Sequence, residues 1–371
     1  MSYLLAFAGF AALIILHELG HFAAAKAVGM RVERFALFFP PLVARWRPKN
    51  SETEYGIGAI PLGGYVKITG MNPEEVIPPE VAHRAYFRQP VWKRIVVIAA
   101  GPLVNIVLAF LILWMLFLAE GRPVPGIGVL ETQAAPASQV LKEGDLILSV
   151  DGVRGHTPGL SDKEIERRSV ALREAIASHT CAGRPVAGCR AAEPAQVVIR
   201  RDGRTMTLAI APRYNKASKR MLVGFAFGLR EDLSVGGAAQ QSVTGMWRIT
   251  TLTVDNIVKI FYDSEARDQV SGVVGSYEAT RQSIEFDTVR AITILALISL
   301  SLGIINLFPF LPLDGGHIFW ALAEKVRGRA ISLRVMERAS IVGFMLVLFL
   351  FYVGLSNDIG RLSSGEGFGV R

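Results

Sequence analysis

Four long apolar stretches, 3–28, 95–119, 291–307 and 339–355, constrain this 371-residue chain more than any other feature. A helix that crosses a bilayer needs about 20 mostly apolar residues, with a lower limit near 17. The first two stretches exceed that length and the last two meet its lower edge. Only 19% of the chain is charged, against about 25% in an ordinary soluble domain, and these four segments account for the deficit. Buried helices of one large soluble core would explain a single such stretch better than four. The expected fold class is a multi-pass α-helical membrane protein with roughly four transmembrane helices and two or more soluble segments. The stretch at 3–28 has no basic region ahead of it, is longer than a signal-peptide core and ends without a small-residue cleavage site. It therefore reads as a retained span.

The formal net charge of +8 does not argue for nucleic acid, and no nucleic-acid partner is expected. The basic residues gather beside the spans instead: 29–94 holds ten Lys or Arg, and the link 315–338 holds five. The positive-inside rule places both in the cytoplasm. The long 120–290 segment and both termini are then expected to be extracytoplasmic. Cys181 and Cys189 are the only cysteines and both fall in that external segment. They either close a short disulfide loop or remain as two free thiols.

The predicted organisation is spans 1 and 2 within 1–119, an external domain over 120–215, a connecting region over 216–290 and spans 3 and 4 within 291–371. Between the first two spans, two short apolar runs within 54–68 flank Pro61-Leu62-Gly63-Gly64, a hairpin signal. Such a hairpin has few charges, so it either dips into the membrane interface or lies on the surface. In the external segment, 163–177 reads as a helix, and 197–200 faces 205–210 across Arg201-Asp202-Gly203-Arg204. Short strands, one helix and glycine turns describe a small α+β domain. Residues 240–262 place apolar side chains, Trp247 among them, at helical spacing. They suit an interfacial helix or one packed on the external domain.

The chemistry is concentrated in His17-Glu18-Leu19-Gly20-His21, inside the first span. Residues four apart share a helix face, so His17 and His21 can offer two imidazoles to one metal ion. Glu18, beside the first ligand, stands where a general base of a zinc hydrolase stands. Gly20 leaves room for another backbone. An ionisable residue in a span costs about 2.5–3.5 kcal/mol on insertion scales, so three together weigh against chance or a merely structural histidine pair.

Catalytic zinc normally takes three protein ligands. The expected third is Asp314, in Asn306-Leu307-Phe308-Pro309-Phe310-Leu311-Pro312-Leu313-Asp314-Gly315-Gly316-His317 at the end of the third span. Pro309 and Pro312 break the helix, Gly315-Gly316 is expected to turn the chain, and irregular backbone at membrane depth implies a protein-lined or water-filled surround. Asp314 as a helix cap is the competing reading. His317 is the weaker rival ligand because it lies past the expected turn. His17 is 14 residues beyond Tyr3, about 21 Å along a helix in a core about 30 Å thick, so it lies towards the cytoplasmic face. The third span runs in the same direction and delivers Asp314 to that side. Asn306 is a polar side chain in a span, suited either to substrate binding or to interhelical packing.

With these motifs in hand, the chain resembles the site-2 proteases, in particular the bacterial regulator-of-sigma-factor branch with an external PDZ domain. His17-Glu18-Leu19-Gly20-His21 and Leu313-Asp314-Gly315-Gly316 match its two motifs. Ile60–Val66 resembles its membrane-reentrant β-hairpin, Gly101-Pro102-Leu103-Val104-Asn105 its second-span signature, and Gly126–Val129 with Glu143-Gly144-Asp145 and Val150-Asp151-Gly152 its PDZ domain. The chain departs from the pattern at Leu311, at Val273 in Ser271-Gly272-Val273-Val274-Gly275, and in an apparent insertion over 155–195 around the cysteines.

The resemblance implies a bacterial inner-membrane zinc metalloprotease, with His17, His21 and Asp314 on Zn2+ and Glu18 catalytic. It implies a substrate strand added to the hairpin, with Gly63, Gly64, Tyr65 and Val66 contacting substrate. The implied substrate is a single-span membrane protein such as an anti-sigma factor, cleaved in regulated intramembrane proteolysis; the PDZ-like domain would take a peptide ligand or act as a filter. A PDZ-bearing membrane scaffold or chaperone with a structural or vestigial metal site is the alternative. A membrane hydrolase of small molecules or prenyl-proteins is a further one, for which the longer metal motif is missing.

Overall fold

The structure is a computed structural model that describes residues 1–364 apart from 73–74, 133–134, 217 and 330. In chain order the elements begin with α1 (Ser2–Ala27), β1 (Val32–Trp46), β2 (Glu54–Ile68) and α2 (Val91–Glu120). There follow β3 (Arg122–Thr132), α3 (Ala137–Val140), β4 (Leu146–Val150), β5 (Val153–Arg154) and α4 (Asp162–Ala177). Next come β6 (Ala195–Arg201), β7 (Arg204–Ile210), β8 (Arg213–Asn215), β9 (Arg220–Leu222) and β10 (Phe225–Glu231). The chain ends in helices: α5 (Val235–Lys259), α6 (Ser264–Gln269), α7 (Val273–Phe286), α8 (Thr288–Asn306), α9 (Asp314–Arg327) and α10 (Leu333–Ser364). Two compact units result: Met1–Leu116 with the chain from Ala239 onward, and Phe117–Ala238.

Among the described residues, four helices in the first unit are long and apolar enough to cross a membrane: Ser2–Ala27, Val91–Glu120, Thr288–Asn306 and Arg334–Ser363. They correspond to the four apolar stretches. Gly20 is where α1 meets α2, because a Cβ there would lie 2.6 Å from the carbonyl oxygen of Ala100. Gly303 does the same for α8, with the Pro102 carbonyl oxygen of α2 at 2.9 Å from a Cβ. Small residues at these crossings let the backbones approach, as helix packing in a bilayer requires.

The Ser271–Gly275 segment also acquires a reason. Asp358 of α10, fully buried, accepts from the backbone N–H of Gly272 (3.0 Å) and Gly275 (2.7 Å) at the start of α7. A Cβ on Gly272 would lie 2.7 Å from that carboxylate.

The hairpin expected within 54–68 is corrected. Among the described residues its two halves pair with β1 and not with each other. Phe35, Ala36 and Leu37 face Val66, Tyr65 and Gly64 on one side and Tyr55, Gly56 and Ile57 on the other, and the two registers run in opposite senses. Residues 42–46 then lie against 55–58. Alternating apolar residues around Pro-Leu-Gly-Gly specify two strands, but not whether those strands bond to each other or flank a third. The third strand, at the start of β1, lies between the two halves of β2.

The second unit is built on a sheet in the order β10-β3-β4-β6-β7, with β5 on β4 and β8 paired separately with β9. Ile127, Val129, Ile147, Val197 and Ile199 form its core, and Leu172 and Ile176 of α4 cover it. Asp202 (φ 48°) and Gly203 (φ 76°) make the tight β6–β7 turn, a conformation that matches the strand twist. The boundary expected at 215 is corrected to about the start of α5, because β10 pairs along β3 from Phe225–Thr132 to Glu231–Arg122. The strand that completes the sheet comes after the separate β8–β9 pair, far in sequence from its partner β3. Cys181 and Cys189 are joined as a disulfide.

Candidate metal centre

His17 and His21 sit one helical turn apart on α1 and are 7% and 8% exposed. Their Nε2 atoms are 3.2 Å from each other. Oδ2 of Asp314 lies 3.2 Å from Nε2 of His17 and 3.3 Å from Nε2 of His21. Three donor atoms thus form a nearly equilateral triangle. With metal–ligand bonds of about 2.0–2.1 Å, the edges of a tetrahedron are about 3.3–3.4 Å, so the triangle fits one face of a zinc coordination sphere. Oδ2 of Asp314 is buried and has no hydrogen-bond partner. A buried oxygen without a donor is costly, and a shared cation is the chemistry that would satisfy it. Among the described residues these three form the one such group. His317 lies on the same cavity but outside the triangle.

Each ligand is placed by a local device. His21 donates from Nδ1 to the carbonyl of Val97 at 2.9 Å. This leaves Nε2 with its lone pair towards the triangle, the usual arrangement of a metal-binding imidazole. The neighbouring carbonyl of Ile98 has lost its helical partner, because Pro102 inside α2 has no N–H.

Asp314 is held by backbone. The expected turn at Gly315-Gly316 is corrected: both residues lie in the first turn of α9, and the irregular chain is the segment before it. The glycines admit that segment. A Cβ on Gly316 would lie 2.5 Å from the backbone nitrogen of Leu311, and one on Gly315 would collide with the Leu307 carbonyl. Asp314 is therefore the first residue of a helix whose N-terminal turn is wrapped by the chain leading into it.

The surrounding cavity has a volume of about 440 Å³. Glu18 lines it with the two histidines, and so do Gly63, Gly64, Tyr65, Val66, Asn306 and Asp314. Every residue singled out from the sequence for catalysis, metal or substrate thus borders one space. Glu18 lies directly on the strand: a Cβ at Gly64 would be 2.9 Å from its Cγ. Tyr65 stacks on Phe39 and receives a hydrogen bond from Arg34 at 3.3 Å. Sequence reasoning missed Phe39, Met71, Leu302 and the Val97 carbonyl, all in or next to this space. None carries a composition signal, since apolar side chains in a membrane protein and backbone carbonyls look alike everywhere.

Known proteins are similar in sequence along nearly the whole chain. A protein of Nostoc sp., provisionally named a zinc metalloprotease, is 31% identical, with 94% of this chain and 93% of that protein covered. The regulator of sigma-E protease RseP of Escherichia coli is 27% identical over 94% of this chain and 96% of its own length. Protease RseP of Yersinia pestis is 28% identical over 94% and 96%. The family model for peptidase family M50 matches residues 5–350, and the chain belongs to that family.

Proposed function

We propose that this chain is an intramembrane zinc metallopeptidase that hydrolyses a peptide bond in or beside the membrane-spanning segment of another protein. The observation that carries the reading is the triangle of His17, His21 and Asp314, with sides of 3.2–3.3 Å. His17 and His21 lie on an apolar helix long enough to cross a bilayer, and Asp314 follows a second such helix. These three residues would hold Zn2+, which when bound supplies Lewis acidity to a carbonyl and to water.

The protein's own residues do the rest. Glu18 borders the same cavity and takes a proton from the attacking water on its carboxylate. It then returns that proton to the nitrogen of the leaving amine. The substrate helix must unwind first, because a helical carbonyl is already hydrogen-bonded. The 63–66 strand lines the cavity, and among the described residues 64–66 pairs with a strand only on its β1 side. Its free edge suits addition of an extended substrate segment, which regains in sheet bonds what it loses from its helix. Asn306, on the same cavity, would hold the substrate backbone or the developing oxyanion.

In this reading 29–94 and 315–338 are cytoplasmic, the site lies near the cytoplasmic face, and both termini and the second unit are extracytoplasmic. The second unit is a PDZ-like domain, and 54–70 with β1 forms the membrane-reentrant element. The relatives named as regulators of sigma-E protease favour a single-span regulator, such as an anti-sigma factor, as substrate.

The test is zinc content of the purified chain, together with cleavage of a model single-span substrate by wild type and Glu18→Gln. About one zinc per chain, and cleavage lowered by at least 100-fold in the variant, are expected. Equal cleavage by both would remove Glu18 from the mechanism, and zinc that survives Asp314→Ala would remove Asp314 from the ligand set.

A further inference from the structure

His21 has an evident orienting partner in the Val97 carbonyl; what orients His17 is less obvious. Its Nε2 belongs to the triangle, so its other ring nitrogen, Nδ1, must carry the proton if Nε2 is to present a lone pair. Nδ1 faces Asn105 of α2, with the carboxamide nitrogen Nδ2 at 3.3 Å. Two N–H groups cannot bond to each other. On the other side of the same amide, Oδ1 of Asn105 is buried and has no partner.

One operation removes the N–H against N–H contact and gives Oδ1 a donor. A half-turn of the carboxamide about its Cβ–Cγ bond brings Oδ1 to Nδ1 of His17, and oxygen and nitrogen exchange places in nearly the same shape. Asn105 is fully buried. Its backbone is pinned where it stands, since the hydroxyl of Ser299 on α8, also fully buried, donates to the Asn105 carbonyl at 2.9 Å. On α8 a Cβ on Gly303 would lie 3.5 Å from the Asn105 Cβ. The side chain thus stands buried between α1 and α8 with its carboxamide against His17.

We infer that Asn105 is a positioning residue of the metal centre: its Oδ1 accepts the Nδ1 proton of His17 and holds that imidazole in the tautomer that ligates through Nε2. The inference rests on the ligand set of the proposed function. It assigns Asn105, a fully buried polar residue of α2, a purpose other than packing, and makes the two histidines equivalent in design, one oriented by a backbone carbonyl and the other by a side-chain carbonyl. Outer partners of this kind are worth about 10–100-fold in metal affinity.

The experiment measures zinc affinity of the full chain in detergent by competition with a chromophoric chelator, for wild type, Asn105→Leu, Asn105→Asp and His17→Ala. Asn105→Leu keeps the volume and removes the acceptor; Asn105→Asp keeps an acceptor in place. The Leu variant should bind zinc about 10–100-fold more weakly, while the Asp variant stays within a few-fold of wild type. A purely structural role for Asn105 would not be rescued by Asp. Gel filtration and circular dichroism check folding, and if the Leu variant does not fold, Asn105→Val carries the same comparison. Loss of under threefold in the apolar variant, or an equal loss in the Asp variant, overturns the inference and leaves the ligand set standing. Wild type that binds no zinc, or His17→Ala that binds it as wild type does, overturns the ligand set itself and this inference with it.

Discussion

His21 occupies the space that a side chain at Gly101 would need: a Cβ there would lie 2.6 Å from Cε1 of the imidazole and closer still to Nε2. The glycine of α2 and the histidine of α1 are one feature. Through it the second-span signature acts on the metal centre without contributing a ligand.

The first prediction follows directly. In Gly101→Ala the imidazole of His21 must move, and it can do so only by leaving the Val97 carbonyl or the triangle. Zinc affinity should fall by about tenfold or more, as for other disturbances of a ligand's support. Chelator competition on the purified chain measures it, and an unchanged affinity would show that the helices can separate to admit a methyl group.

Gly316→Ala should act on the other side of the centre. The new Cβ would meet backbone at Leu311 and Phe310, at 2.5 and 2.7 Å, instead of flexible side chains. The first turn of α9 must shift, and Asp314 with it. We expect zinc retention and substrate cleavage to fall together. Gly245→Ala is the control: no atom lies within 4 Å of a Cβ there, and replacing a helical glycine should stabilise by about 0.5–1 kcal/mol.

In the second unit, Asp145 is 1% exposed and is held by Arg201 through Nε (2.7 Å) and Nη2 (2.6 Å), and by the backbone N–H of Lys142 (2.8 Å). Removing Arg201 leaves the buried carboxylate with the Lys142 N–H as its remaining donor, at a cost of about 1–3 kcal/mol. Arg201→Ala should loosen this domain, raising hydrogen exchange at Ile127, Ile147 and Ile199 in the full chain. Zinc content should not change.

Glu52 makes a pH prediction. Its carboxyl is held below the ordinary glutamate value of 4.5 first by the two hydrogen bonds from Arg84; burial opposes them, and the charges of Arg84, Lys26 and Arg31 lower it further. A lowered folded-state value means the contribution is fully present above about pH 4.5 and is lost as pH falls through the folded value. The group is largely solvated, so the effect is small. Thermal stability of Glu52→Gln should be slightly below wild type at pH 7, and the two curves should converge as pH falls below about 4.5.

Much of the site was legible along the chain because its chemistry is expensive where it stands. Two histidines and a glutamate in an apolar helix, and an aspartate beside another, announce themselves by the cost of burying them. Helical periodicity alone puts His17 and His21 on one face. The four spans were equally legible, since bilayer thickness sets their length and composition.

Other features depended on partners distant in sequence. Alternation within 54–68 specified strands, but their bonding to the start of β1 arises only when the chain folds back, and the same residues would satisfy a simple hairpin. Gly315 and Gly316 resemble turn residues until the chain of 307–311 is laid against them; then they are the only side chains small enough for a helix to begin there. The closing strand β10 was unreadable for the same reason, because its partner β3 stands nearly a hundred residues earlier. Composition and period specify what each segment must bury. Hydrogen-bond partners and the close approach of backbones depend on which segments meet, and only the tertiary structure decides that. In His17, Glu18 and His21 the two levels coincide: the helix fixes their spacing, while Asp314, Val97 and Asn105 arrive from elsewhere to make that spacing a metal centre.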